Sequence, residues 1–320
     1  MTNNILKRRA IIFGIKGFYL TPSEKNLLSY SKPWGVILFS RNIKNILQLK
    51  NLVFSIKNIT KNKHFPILID QEGGKVSRIN KIVDLSLFSQ DYFGQLYNID
   101  KKIFFYNYKK YIHLLCDIFK KVGININTVP VLDVHRKSSH NIIGTRSFSS
   151  DPEIVKQLGK ICVDLYNENK IATVIKHMPG HGLSKEDSHK HLPIVAAKKS
   201  ELIKNDFKPF KYSDSFFAMT AHVKYKAYDP VHSATHSYKI IQEVIRKNIG
   251  FKGIIISDDI SMKALNCGLK NNAMKALDAG CNLVLHCNAN INEMKLLTKI
   301  IPTVDKFTQK KTSQFYKFLG

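Results

Sequence analysis

The stretch Lys176-His177-Met178-Pro179-Gly180-His181-Gly182, closed by Asp187-Ser188-His189, follows directly on the apolar run Ile171-Ala172-Thr173-Val174-Ile175. The run has the length and β-branched content of a buried strand. Pro and Gly then stop any helix from forming. A Lys and three His therefore fall on a loop just past the carboxyl end of a strand, which is where α/β folds hold ligands. Three readings of those histidines stand side by side. His177, His181 and His189 are all metal-ligand types, although the Pro-Gly break removes the helix on which zinc motifs often rely. They also read as ordinary solvated loop residues. The third reading is a catalytic loop: Asp187 and His189 are two apart, close enough for the carboxylate to fix one imidazole nitrogen and raise the basicity of the other.

The same pattern recurs along the chain. Gly253-Ile254-Ile255-Ile256-Ser257 runs into Asp258-Asp259. Adjacent carboxylates at a strand end are costly if buried without partners. A helix N-cap role would account for one of them and hardly for both. Ile67-Leu68-Ile69 runs into Asp70-Gln71-Glu72-Gly73-Gly74, with Lys75 and Arg78 close behind, and the Gly pair permits a close approach of backbone to ligand. Val129-Pro130-Val131-Leu132-Asp133-Val134 is followed by Gly144-Thr145-Arg146.

Working outward, eight short apolar runs alternate with amphipathic stretches: 10–15, 35–39, 66–70, 125–131, 172–175, 216–220, 253–257 and 282–286. Helical patterns cover 43–57, 102–121, 151–169, 238–248 and 272–279. Asp151-Pro152-Glu153 is a helix start, Thr21 with Glu24 has capping-box spacing, and Ala279-Gly280 is a helix stop. Alternating strands and helices predict a parallel sheet. Eight strands, with polar residues at several separated carboxyl ends, predict a closed (β/α)8 TIM-like barrel of the α/β class. A doubly wound alternative lacks its Gly-rich fingerprint, because Phe13-Gly14-Ile15-Lys16-Gly17 does not fit it. Irregularity is expected in the first strands. No Gly/Ser- or Pro-rich linker divides the 320 residues, so one catalytic unit spanning 1–320 is expected, with a short tail after about 303.

Composition narrows the class further. No apolar window of about 18 residues is present, so no spanning helix is expected, and the N-terminus reads as a first strand instead of a signal peptide. Five cysteines without a CxxC spacing read as free thiols in a reducing compartment. The formal charge of +26 raises the question of a nucleic-acid partner. The lysines are, however, spread through nearly every helix, in a chain also rich in Asn, Ile, Phe and Tyr. That points to a compositional bias toward AT-rich codons.

Four blocks together carry a family resemblance: Asp70-Gln71-Glu72-Gly73-Gly74; Lys176-His177 with Pro179-Gly180-His181-Gly182; Asp187-Ser188-His189; and Ser257-Asp258-Asp259 with Ser261-Met262. In this order they resemble the signature blocks of glycoside hydrolase family 3, and more narrowly its single-domain bacterial cytoplasmic β-N-acetylglucosaminidases of cell-wall recycling. Lys75, where the family usually has Arg, and Met178, where it usually has Phe, depart from the pattern.

The resemblance implies a TIM-like barrel that removes terminal non-reducing N-acetylglucosamine from a small carbohydrate, N-acetylglucosamine joined to 1,6-anhydro-N-acetylmuramic acid with or without peptide. It implies Asp258 as nucleophile, His189 as general acid/base oriented by Asp187, and Asp70, Arg78, Arg146, Lys176 and His177 as sugar contacts. The mechanism implied is retaining double displacement. No cofactor and no metal are implied. The expected protein is a cytoplasmic monomer with no specific nucleic-acid partner and no membrane insertion. A neutral histidine base would not repel an anionic acceptor, so a phosphorylase is an alternative. A β-glucosidase, a broad hexosaminidase and a non-catalytic carbohydrate- or nucleic-acid-binding barrel are further alternatives. Intact Asp258, Asp187 and His189 weigh against the last. The loop from Lys176 to Leu192 is expected to be mobile and to close over bound sugar.

Overall fold

The computed structural model describes residues 7–136, 143–184, 186, 188, 191–211 and 213–320. Eight parallel strands close into a barrel: β1 (Arg9–Gly14), β2 (Pro33–Leu38), β3 (Ile67–Ile69), β4 (Ile126–Asn127), β5 (Ala172–Met178), β7 (Phe217–Thr220), β9 (Ile254–Asp259) and β10 (Leu283–His286). Every one falls on a run expected from the sequence. Two further short strands, β6 (Ile194–Val195) and β8 (Lys224–Tyr225), pair with each other outside the barrel. The barrel strands are apolar almost without interruption because one face fills the barrel interior and the other lies under helices. In β2 and β5 every residue is buried.

The expected irregularity of the first strands is only partly seen. A register shift lies between Arg9 and Ile12 in the β1–β2 pair, but both strands are six residues long. The shortest barrel strand is β4, with two residues. Its predicted extension over 125–131 fails at Pro130, which has no N–H for the ladder. Only an isolated bridge from Val131 to Lys176 continues the pairing.

The helices are α1 (Pro22–Ser31), α2 (Ile46–Ile59), α3 (Gln90–Ile99), α4 (Lys101–Val122), α5 (Pro152–Glu168), α6 (Lys199–Lys204), α7 (Leu269–Ala279), α8 (Ile291–Ile300) and α9 (Lys306–Leu319), with a π-helical run at Ile240–Ile249. The capping box of α1 is formed: Glu24 N donates to Thr21 Oγ1 at 3.2 Å and Thr21 N to Glu24 Oε2 at 2.9 Å. Asp151 caps α5, with Pro152 in the first turn. Gly280 ends α7 in the left-handed conformation.

The segment after about 303, expected as a short tail, is instead helix α9, which packs against the amino-terminal end of the barrel. Trp34 Nε1 donates to Thr312 Oγ1 at 2.9 Å. Trp34 and Phe217 meet edge to face at 5.4 Å between ring centroids, and Phe217 meets Phe315 at 5.3 Å. This aromatic plug fills the end opposite the strand carboxyl termini, which leaves the polar strand ends as the open mouth. Among the described residues no helix is long and apolar enough to cross a membrane.

Candidate active site

At the carboxyl ends of the strands lies a cavity of about 440 Å³, within the range of small-molecule sites. Its wall includes Asp70, Arg78, Arg146, Lys176, His177 and Asp258, so six of the eight sequence-predicted residues converge from four separated segments. Asp187 and His189 lie outside the described residues.

One buried charge network organises the floor. Lys176, at the end of β5, is the only buried lysine among the described residues. Its Nζ lies 2.6 Å from Asp70 Oδ1 and 2.5 Å from Glu72 Oε1. Arg78 Nη2 meets Asp70 Oδ2 at 2.5 Å. Arg146 grips Glu72 with Nε and Nη2, each at 2.7 Å. This bidentate pairing fixes orientation as well as charge. Thr128 Oγ1 adds a hydrogen bond to Asp70 Oδ1 at 2.6 Å. Burial alone would push both acids up. The charges of Lys176 and Arg78 instead hold Asp70 well below the usual carboxylate range. Those of Arg146 and Lys176 lower Glu72. For Arg146, burial works against the charge and Glu72 outweighs it, raising its pKa. Three cations face two carboxylates here, and the charge of Lys176 is also felt at Asp258, whose pKa it lowers.

His177 is held from behind. Asp133, fully buried after β4, accepts from His177 Nδ1 at 2.7 Å and from His177 N at 3.2 Å. An ionised carboxylate accepts only, so Nδ1 carries the proton and Nε2 has no hydrogen-bond partner among the described residues. Asp133 also accepts from His181 N at 2.6 Å. Burial would raise Asp133, but His177 and these hydrogen bonds bring it below its ordinary value. Burial drives His181 down to about 4, against the pull of Asp133. Its imidazole is therefore neutral at pH 7, with Nε2 3.3 Å from Ser188 Oγ. The first half of the loop makes polar contacts in this structure. Lys176, His177, His181 and Ser184 are all buried.

The two acids at the end of β9 differ. Asp259 accepts from Ser261 Oγ at 2.8 Å and from Ser261 N and Cys287 N at 3.1 and 3.2 Å. Asp258 accepts only from Asp259 N, at 2.8 Å, among the described residues, and its carboxylate faces the cavity. Burial would raise Asp258, but the charges of His222 and His177, the Asp259 amide and Lys176 lower it. It is an anion at neutral pH.

Sequence reasoning passed over four contributors. Glu72 and Asp133 stood inside the quoted motifs, yet their partners lie 74 and 44 residues away. His181 stood in the opening stretch without a separate role. His222 follows β7 and meets the strand-end criterion already applied elsewhere; its Nδ1 lies 2.7 Å from Thr235 Oγ1 and its Nε2 3.0 Å from Asp259 O. Among the described residues no group of three or more His, Cys, Asp or Glu could hold a metal ion.

The comparisons agree with this geometry. Residues 18–314 match the model of the glycosyl hydrolase family 3 N-terminal domain. A β-hexosaminidase of Neisseria meningitidis is 34% identical over 296 residues, covering 90% of this chain and 80% of that protein. One from Nitrosomonas eutropha is 32% identical over 295 residues, covering 91% and 84%. Among solved structures, NagZ from Neisseria gonorrhoeae in complex with N-trifluoroacetyl-D-glucosamine superposes with a TM-score of 0.86 at 30% identity, covering 97% of this chain and 90% of that one. The strand-end motifs, the barrel that carries them and these likenesses over nine-tenths of the chain agree: the chain belongs to glycosyl hydrolase family 3.

Proposed function

We propose that this chain is an exo-acting, retaining β-N-acetylglucosaminidase that removes a terminal non-reducing N-acetylglucosamine from small peptidoglycan fragments. The observation that carries the reading is Asp258, an anionic carboxylate set against a cavity whose opposite wall is the Asp70–Lys176–Arg78 clasp. A pocket that holds paired acids and cations in fixed positions can grip sugar hydroxyls at several points and so set the geometry of attack. Asp258 attacks the anomeric carbon and forms a glycosyl-enzyme, and the oxocarbenium-like transition state gains from the same negative charge. His189, oriented by Asp187, protonates the leaving oxygen and then takes a proton from water. Asp70, Arg78, Arg146, Lys176 and His177 bind the sugar. In this reading the protein works as a cytoplasmic monomer, with 1–320 as one catalytic unit, and its role lies in peptidoglycan recycling. The β-hexosaminidase names of the relatives and the N-trifluoroacetyl-D-glucosamine bound to the gonococcal NagZ support the choice of sugar.

Three assays test it. Turnover of chromogenic β-N-acetylglucosaminide should exceed that of the β-glucoside. Rates and products should be the same with and without phosphate, because a glycosyl phosphate product would mean a phosphorylase. NMR of the first-formed sugar should show the β anomer; an α anomer from a β-linked substrate would rule out double displacement.

A further inference from the structure

Beneath the turn that carries His181 lies an ion pair that the chemistry above does not use. Asp206, in the connection after α6, is 1% exposed. Its Oδ2 stands 3.7 Å from Nη2 of Arg136, which follows β4. Neither Asp206 oxygen has a hydrogen-bond partner among the described residues, and the same holds for Arg136 Nε and Nη2. A buried carboxylate with open valences is expensive and is retained only where the surroundings force it.

Here the surroundings are the turn itself. Gly180 has φ of +140°, and a Cβ built on it would lie 2.7 Å from Asp206 O and 2.9 Å from Asp206 Cβ. A Cβ on Gly182 would lie 3.0 Å from Asp206 Oδ1 and 2.3 Å from Val134 O. Tyr225 Oη donates to Gly180 O on the same side. Three loops thus meet at one charged contact: the one after β4, the one after β5 and the one that brings Asp206. Between Gly180 and Gly182 sits His181, whose ring lines the cavity.

We propose that Asp206, paired with Arg136, is a positioning residue that sets the Gly180–Gly182 turn and through it the placement of the His181 imidazole in the substrate cavity. The groups facing Asp206 are Arg136 and Asp133 from the loop after β4, Glu201 from α6 and Tyr225 from β8. Burial is the largest influence and Arg136 opposes it; Asp133 and Glu201 add to the upward push, leaving the carboxyl at about 7. The paired, ionised form therefore fills in as the pH rises through neutrality, which gives the contact a signature in the pH profile. Asp206 is not part of the cavity wall.

The inference rests on the glycosidase reading for its kinetic arm only. Asp206→Asn keeps the shape and removes the charge. The expected result is a loss in kcat of about 10–100-fold at pH 8, the scale set by misplacement of a site group, with KM changed less. The part of the acid limb titrating near pH 7 should disappear. Arg136→Met keeps Asp206 but removes its partner; should Asp206→Asn fail to fold, this variant should give the same loss in kcat and move that part of the acid limb to higher pH, because Arg136 holds the Asp206 value down. Independently of turnover, the imidazole resonances of His181, assigned with His181→Gln, should shift in either variant. Wild-type kcat, an unaltered acid limb and unshifted His181 resonances in a folded variant would overturn the proposal. Should the wild-type chain fail to cleave the chromogenic sugar, the glycosidase reading falls, and the resonances alone decide this one: a shift supports it and no shift overturns it.

Discussion

Asp258 and Asp259 are neighbours at the end of β9 and both line the cavity, but they differ in hydrogen bonding: Asp259 accepts from Ser261 and the Cys287 amide, while Asp258 accepts only from the Asp259 amide among the described residues. A group saturated with hydrogen bonds is a poor nucleophile, and a partly unsatisfied anion is a better one. Asp258→Asn should therefore cost about 10³-fold or more in kcat with the fold retained, in line with loss of a nucleophile. Asp259→Asn should lower the melting temperature and leave most of the turnover. The reverse pattern, in steady-state kinetics on a chromogenic N-acetylglucosaminide, would exchange the two assignments.

Glu72→Gln removes one of the two carboxylates that neutralise Lys176, and the bidentate partner of Arg146. Breaking a buried pair leaves uncompensated charge, which costs about 3–5 kcal/mol. Urea unfolding should show a loss of that order, together with a raised KM, because Arg146 and Lys176 lose their orientation. A loss indistinguishable from that of an exposed substitution would mean that the network does not brace the site.

The pH dependence of stability has a calculable sign. Burial lowers His181 and His236 to about 4, well under the ordinary histidine value near 6.5. The unfolded chain binds those protons first, so this contribution is complete above about pH 6.5 and is lost as the pH falls toward 4. His236, whose Nε2 donates to Asn272 O at 3.1 Å, lies outside the cavity wall and is the cleaner probe. His236→Gln should flatten the fall in stability between pH 6.5 and 4. Asp206 acts with the opposite sign over a similar range, its raised value favouring the folded state at low pH. The wild-type slope is therefore a difference of terms, and the variant-minus-wild-type slope is the quantity to measure. Parallel curves would contradict a neutral buried imidazole.

The acid role assigned to His189 makes a prediction that depends on leaving group. An acid's help matters least when the departing oxygen is a weak base, so His189→Ala should slow natural disaccharides far more than activated aryl glycosides, with general acid catalysis contributing about 10²–10⁴-fold. Asp187→Asn should give a milder form of the same defect. Equal losses on both substrates, under conditions where glycosylation limits the rate, would remove His189 from the acid role.

The chain's primary sequence determined the barrel, since alternation of short β-branched runs with amphipathic helices is a local property that leaves few other folds open. It likewise determined which strand ends carry chemistry, because Asp70, Lys176 and Asp258 each follow an apolar run, and the Thr21–Glu24 cap, because a capping box spans four residues. Tertiary structure decided what those side chains meet. Lys176 and Asp70 are 106 residues apart and 2.6 Å apart in space; nothing in either segment encodes that meeting. The different hydrogen bonding of Asp258 and Asp259, the brace that Asp133 gives His177 and the burial of Asp206 under the Gly180–Gly182 turn are of the same kind. Turn chemistry and periodicity act over a few residues, whereas charge pairing and desolvation act across whatever the closed barrel brings within a few ångströms.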